Sequence, residues 1–161
     1  MLPVASNGLT KAFDKINLNI LNSKLLKTEL PTQLVNLLNF INKNTYVNVQ
    51  CNNVVGEEWQ TNNGTRQGGI LSPMLYAFYV NELLQTVSQL SVGCKLDGEN
   101  VGIICFADDI ALLAPSAHGL QVMLDCAHEV LTRLCLSVNP SKSSYIVFGK
   151  RGRLLDLVEL N

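Results

Sequence analysis

The sequence predicts an α+β domain in which an antiparallel sheet carries helices on one face. Three observations predict this fold. Short apolar or alternating segments, typical of strands, are joined by turn sequences; longer segments carry apolar residues at helical spacing; and the two kinds follow one another irregularly. The chain has 161 residues, of which 47% are hydrophobic and 16% charged, so it can bury the core of a single domain, residues 1–161.

The first half of the chain predicts a helix followed by a hairpin. Residues 25–42 carry apolar side chains at helical spacing, and Pro31 suits the first turn of a helix. Residues 45–51 and 54–60 alternate as strands do. The Asn-Asn pair between them predicts a tight turn, because asparagine tolerates a positive φ.

Two helices are predicted in the second half. Ser72 is a candidate N-cap and Pro73 suits the first helical position, so an apolar helix is expected over residues 74 to about 90. Over residues 120–134 leucine and alanine recur at alternating steps of four and three, which is typical of an amphipathic helix. Ser116 is the candidate cap of that helix.

A pair of aspartates interrupts an apolar run, CFADDIALLA, at residues 105–114. An Asp-Gly turn leads into the strand that ends at Asp108 and Asp109, and the residues that follow are again strand-like, which predicts a tight hairpin with both acids at its tip. A buried, unpaired carboxylate is costly, so the pair is either a polar surface turn or a site where a metal supplies the counter-charge. A last strand is predicted over residues 144–149.

Charge and cysteine content narrow the functional classes. The formal net charge of -1 argues against strong autonomous binding to nucleic acid, which depends on clustered Lys and Arg. The five cysteines include no Cys-x-x-Cys pair, which favours neither a disulfide framework nor a zinc site. No apolar run reaches the roughly 18 residues of a membrane span. We expect an intracellular protein of the cytoplasm or nucleus that is not secreted and has no membrane partner.

Four segments in fixed order carry a family resemblance: GLTKAFDKIN, TRQGGILSPML, FADD and LSVNPSKSSYIVFG, at residues 8–17, 65–75, 106–109 and 136–149. Together they resemble the motifs of reverse transcriptases of the non-LTR retrotransposon and group II intron type. The resemblance implies a polymerase palm with incomplete fingers and no thumb. It also implies an RNA-directed DNA polymerase that uses Mg²⁺, or Mn²⁺, with an RNA template, a DNA primer and deoxynucleoside triphosphates as partners.

The resemblance assigns metal ligands. Asp108 corresponds to a direct ligand, Asp109 to its supporting partner, and the backbone carbonyl of Leu9 to a further contact. Two divalent ions about 4 Å apart repel by on the order of 16 kcal/mol at an effective dielectric of about 20, so several carboxylates are needed to hold them.

The resemblance also assigns substrate contacts. Phe13 corresponds to a ring that excludes a 2′-hydroxyl, although an ordinary core phenylalanine is the alternative. Gln67 and Gly68 correspond to a segment that contacts nucleotide and template. Arg66 is either a phosphate contact or a solvated side chain, and Lys142 is either the lysine near the leaving pyrophosphate or an exposed loop lysine.

One departure from the family pattern concerns the first metal ligand. Gly8 stands where the family has an aspartate that bridges both metals. Asn7 would point to the opposite face of a strand, Ser6 lies about 6.6 Å along it, and Asp14 is expected to be a structural or surface acid. We therefore expect impaired or absent catalysis and at most one weakly bound divalent ion.

Three functions stay open from the sequence. The first is a polymerase domain. The second is a non-catalytic palm that binds nucleotide or nucleic acid, with Lys142, Lys150, Arg151 and Arg153 as its basic residues. The third is a relic without a present role. The opening MLPVASNG is interpreted as an altered start in place of the usual strand, and the chain as a fragment or decayed copy of a mobile element.

Overall fold

The computed structural model describes residues 2–149, so the basic residues predicted at positions 150–153 lie outside the described part. The helices are α1 (Leu18–Leu25), α2 (Thr32–Lys43), α3 (Ser72–Ser88) and α4 (Ala117–Arg133), with a short 3₁₀ helix at Pro140–Lys142. The strands are β1 (Leu2–Gly8), β2 (Tyr46–Val47), β3 (Gln50–Cys51), β4 (Val54–Val55), β5 (Trp59–Gln60), β6 (Lys95–Leu96), β7 (Glu99–Asn100), β8 (Ile103–Phe106), β9 (Asp109–Leu113) and β10 (Ser144–Phe148).

The chain forms two compact units. We call residues 2–10 and 80–149 the sheet unit and residues 11–79 the loop unit. No helix within residues 2–149 is long and apolar enough to cross a membrane.

A four-stranded antiparallel sheet in the order β10-β1-β9-β8 forms the centre of the sheet unit. One face packs on α4 and buries Leu112, Leu120 and Met123 completely. The other, which we call the open face, exposes most of Ile104, Phe106, Ile146 and Phe148. The predicted α+β architecture with helices on one face of the sheet is thus confirmed.

The first strand differs from its prediction. We expected the opening residues to depart from a regular strand, but β1 is an interior strand that pairs with β10 on one side and β9 on the other. Its Pro, Ser, Asn and Gly have low strand propensity, and pairing on both edges outweighs that propensity. Gly8, its last residue, lies opposite Asp109.

The helix predicted over residues 25–42 is wrong in its bounds. Only its second part is helical, because α2 begins after Pro31. The preceding helix, α1, ends at Leu25, where the Thr28 hydroxyl donates to the Leu25 carbonyl oxygen at 2.6 Å. A proline disfavours helical backbone in the residue before it, so the segment cannot continue as one helix. The start of α1 is capped by the Asn17 side chain, which accepts from two backbone N–H groups.

Other local predictions agree with the structure. The hairpin turn at Asn52 and Asn53 has φ values of 47° and 62°, and Ser116 caps α4 by accepting from the Gly119 N–H at 3.1 Å. The long apolar helix forms, but Ser72 is its first residue and not its N-cap. The Ser72 hydroxyl instead donates to the Arg66 carbonyl oxygen at 2.5 Å.

Candidate active site

The β8–β9 hairpin carries both aspartates at its tip, as predicted. Asp108 lies in the turn and is half-buried, whereas Asp109 begins β9, is exposed and pairs with Phe106. Ala107 precedes them with a φ of 50°, a left-handed conformation that is uncommon for a residue other than glycine and that occurs often at functional turns. The carboxylates therefore extend from the end of a rigid hairpin and are not sunk into the core.

The end of β1 lies directly beside this hairpin. The Leu9 N–H donates to the Asp108 carbonyl oxygen at 3.2 Å, and the Gly8 carbonyl oxygen accepts from the Asn139 N–H at 2.8 Å. The second bond ties β1 to the 3₁₀ helix that carries Lys142. The structure thus brings together Leu9, Asp108, Asp109 and Lys142 at one end of the sheet.

Lys142 occupies the space beside Gly8 on the open face. A Cβ atom added to Gly8 would lie 3.1 Å from Lys142 Cβ, 3.4 Å from Lys142 Cδ and 3.8 Å from Asp109 Oδ1. The aliphatic stem of the lysine therefore passes over the position from which an aspartate side chain would start. Gly8 and Lys142 fit one another as small and large residues do in a packed contact.

The loop unit holds the other predicted residues. The Phe13 ring is half-buried and stacks on Tyr76, with 4.6 Å between ring centroids and 30° between planes. Arg66, Gln67 and Gly68 are exposed in the loop before α3. Gly68 has a φ of 77°, a conformation that favours glycine. A Cβ atom placed there would have no heavy atom within 4 Å, so glycine is needed for the backbone conformation and not for lack of space.

A cleft of about 1000 Å³ opens in the loop unit. Its wall includes the predicted residues Arg66 and Gln67 together with Asp14, for which the sequence predicts only a structural or surface role. It also includes amide and aromatic side chains that the sequence did not single out: Phe40, Asn42, Asn44, Tyr46, Asn48 and Asn63. The run INKNTYVNV was the available signal, since it concentrates asparagines between α2 and the first hairpin.

A family model described as reverse transcriptase (RNA-dependent DNA polymerase) matches residues 4–153. The chain belongs to the reverse transcriptase family. It is 26% identical over 152 residues to the Pol polyprotein from the type-1 retrotransposable element R2 of Nasonia vitripennis, and 29% identical over 143 residues to that from the type-2 element R2DM of Drosophila melanogaster. These matches cover 94% and 86% of this chain, and place it among reverse transcriptases of non-LTR retrotransposons. The chain spans only 15% and 13% of the length of these relatives.

Solved telomerase structures have a similar fold. Telomerase from Candida tropicalis in complex with a TWJ fragment of telomeric RNA superposes with a TM-score of 0.71 at 12% identity, covering 90% of this chain and 26% of that one. The apo enzyme truncated from its C-terminal domain gives 0.68 at 14% identity, with 90% and 30% covered. The likeness confirms the predicted polymerase palm-like fold.

The donor set of this chain fits one divalent cation better than two. Reverse transcriptases use divalent metals, and Asp108 and Asp109 offer the hard oxygen ligands that such ions take. Gly8 offers no side chain, and Ser6 lies one row further along the open face, opposite Ala111. Within residues 2–149, no three His, Cys, Asp or Glu side chains are grouped closely enough to hold a metal ion. The roles assigned to individual site residues stay predictions.

A half-buried thiol lies on the helix-packed side of the same hairpin. Cys105 pairs with Ile110, and burial raises the pKa of its thiol to about 11. The thiolate is therefore scarce near neutral pH, which disfavours this cysteine as a nucleophile.

Proposed function

We propose that the chain is the palm region of a retrotransposon RNA-directed DNA polymerase, which extends a DNA primer along an RNA template. The observation that carries this proposal is the end of the sheet, where a tight hairpin holds Asp108 and Asp109 beside β1 and Lys142. Side chains on paired strands are held more rigidly than side chains on loops, as a nucleotidyl-transfer site requires. The similarity to retrotransposon Pol polyproteins supports the same activity.

Asp108 and Asp109 would hold the divalent cation. Mg²⁺ is our first choice because it needs only one or two carboxylates and keeps several waters, and Mn²⁺ is the alternative. When bound, the cation stabilises negative charge on the reacting phosphate oxygens. Since Gly8 contributes no carboxylate, we expect weak cation binding and slow turnover.

Lys142 would add positive charge at the same end of the sheet. Its ammonium group is a compact charge on a flexible stem, which suits a phosphate that changes position as pyrophosphate leaves. The lysine stem crosses over Gly8 next to Asp109. The ammonium group would therefore contact the phosphate groups of the nucleotide in the proposed site.

The proposed substrates are an RNA template, a DNA primer and deoxynucleoside triphosphates. Phe13, held against Tyr76, would favour deoxynucleotides by excluding a 2′-hydroxyl. The amides of the cleft can pair with base edges, and Phe40 and Tyr46 can stack on bases, as in single-stranded RNA recognition. The similar telomerase solved with a fragment of telomeric RNA supports an RNA partner.

Primer extension tests the polymerase proposal. The unmodified chain, Gly8→Asp and Gly8→Asp/Asp108→Asn are compared on a DNA primer annealed to RNA, with Mg²⁺ or Mn²⁺. We expect low incorporation by the first, an increase of about tenfold or more in the second, and loss in the third. No incorporation by Gly8→Asp, even when it is joined to the remaining polymerase segments of a relative, would contradict the proposal.

A second function is favoured by Gly8 itself. A palm without the bridging carboxylate can bind primer–template and not turn it over. Binding through Lys and Arg would weaken steeply as salt rises from about 50 to 200 mM. An affinity that is unchanged over this range would rule out the binding function.

A further inference from the structure

The Asp14 side chain makes a specific contact in the loop unit. Its carboxylate Oδ1 accepts a hydrogen bond from Gln67 Nε2 at 2.8 Å, across 53 positions of sequence. A glutamine amide has a donor end and an acceptor end, whereas an ionised carboxylate only accepts. Asp14 therefore fixes which way the amide points: the NH₂ group faces the carboxylate, and the Oε1 atom faces away from it.

Backbone contacts hold the two partners in register. The Thr65 N–H donates to the Phe13 carbonyl oxygen at 3.0 Å, and the Gly64 N–H donates to the Ile16 carbonyl oxygen at 2.8 Å. A Cβ atom on Gly64 would lie 2.9 Å from both the Cα and the carbonyl oxygen of Asp14, closer than side chains pack. The turn that carries Asp14 and the loop that carries Gln67 are thus held together by backbone bonds to the residues on either side of Asp14.

The position of the pair indicates what this bond does. Both side chains are exposed, and both line the cleft. An exposed hydrogen bond adds little to folding stability, because water replaces it when it breaks. Its main consequence is the orientation of an amide at the wall of a cavity large enough for a nucleotide.

We propose that Asp14 is a positioning residue, which holds Gln67 so that its Oε1 atom is presented as an acceptor to a hydroxyl or amino group of the bound nucleotide or template. The proposal rests on the proposed polymerase or binding function for its ligand. The orientation of the amide does not depend on any ligand, so the two parts can be tested separately.

The first experiment measures, in the absence of ligand, how well the side-chain amide of Gln67 is ordered. The side-chain ¹⁵N order parameter of Gln67 is compared by NMR in the unmodified chain, Asp14→Ala and Asp14→Asn. We expect an ordered amide in the unmodified chain, a mobile one in Asp14→Ala, and recovery in Asp14→Asn, which keeps an acceptor oxygen. An amide that stays ordered in Asp14→Ala overturns the proposal.

The second experiment measures binding by calorimetry of dGTP with Mg²⁺, on chain saturated with RNA–DNA primer–template. Asp14→Ala should weaken binding about three- to tenfold, and Asp14→Asn should stay within about twofold of the unmodified chain. Asp125→Ala is the matched control, since Asp125 accepts from Gln121 Nε2 at the same 2.8 Å on an exposed face of α4. That control should change nothing.

Each outcome has one meaning. Loss of order together with weaker binding supports the proposal. Loss of order with unchanged binding overturns the ligand role of Gln67. If the unmodified chain binds neither primer–template nor dGTP, both the proposed function and the ligand role are wrong, whereas the NMR comparison still decides whether Asp14 orients the amide.

Discussion

The two units hold their polar side chains in place by different means. In the sheet unit, Asp109 begins a strand that pairs with β1 on one side and β8 on the other. In the loop unit the strands are two residues long, and Gln67 is held by one carboxylate and by backbone bonds of the preceding Gly64 and Thr65. A side chain on a paired strand is held in place by many backbone hydrogen bonds, whereas a side chain on a loop is held by a few contacts. We therefore expect the sheet unit to respond to lost packing and the loop unit to respond to single contacts.

The largest expected effect is in the sheet. Leu112 is fully buried on β9 under α4, so Leu112→Ala should lower the free energy of unfolding by about 2–5 kcal/mol. Val54 in the loop-unit hairpin is 70% exposed, and Val54→Ala should change the free energy of unfolding by less than about 0.5 kcal/mol. Urea denaturation measures both. Equal losses would contradict the distinction between the units.

A glycine pair tests single contacts in the loop unit. Gly64 and Gly98 have similar φ values of 87° and 90°, but only Gly64 lies against another segment. Gly98→Ala should cost about 1 kcal/mol for the left-handed backbone alone. Gly64→Ala adds the clash with Asp14 and should cost about 2–4 kcal/mol by urea denaturation. The comparison fails if the two substitutions cost the same.

The metal prediction concerns the rigid end of the sheet. Gly8→Asp should raise the affinity for Mg²⁺ about tenfold or more, and raise the number of ions bound in the presence of nucleotide, measured by calorimetry. Gly8→Asp/Lys142→Ala should gain more, because alanine removes the lysine Cδ atom that would lie 3.4 Å from the new Cβ atom. If the unmodified chain already binds two ions, then a residue other than Gly8, such as Ser6 on the same face of β1, supplies a ligand and Gly8 is not limiting.

The smallest expected effect depends on pH. Burial raises the pKa of the Cys105 thiol from 9.0 to about 11, so the folded state keeps this proton when the unfolded state has lost it. Stability is fully present below pH 9 and falls as pH rises towards 11. Relative to Cys105→Val, the unmodified chain should lose about 1 kcal/mol between pH 8 and 10. Parallel pH profiles of the two chains would refute this assignment.

Local patterns predicted the sheet end of the fold well. The hairpin at Asp108 and Asp109, the α4 helix with its Ser116 cap and the last strand all follow from signals within a few residues. The α1 helix was not predicted although Leu18, Leu21 and Leu25 share one buried face, because its eight residues give only about two turns of helical periodicity. β1 was misjudged because its partners, which decide its conformation, are more than 100 positions away.

The loop unit shows why part of the candidate site escaped prediction. Nothing near Asp14 in the sequence indicates that its carboxylate meets Gln67, since the two approach only after residues 15–66 have folded. The resemblance supplied Gln67 and the hairpin acids as positions, but not their contacts. Contacts between distant loops depend on the whole fold, and one sequence does not contain that pairing.

The open face of the sheet has a consequence for the behaviour of this chain in solution. Phe106 is 81% exposed on β8, an edge strand, and Ile104, Ile146 and Phe148 are each more than half exposed. Among the described residues these side chains lie on the two edge strands of the sheet, β8 and β10. Exposed apolar side chains on edge strands favour self-association, and a net charge of -1 offers little repulsion against it. We expect the purified chain to form soluble aggregates as its concentration rises. Phe106→Lys should raise the concentration at which light scattering begins.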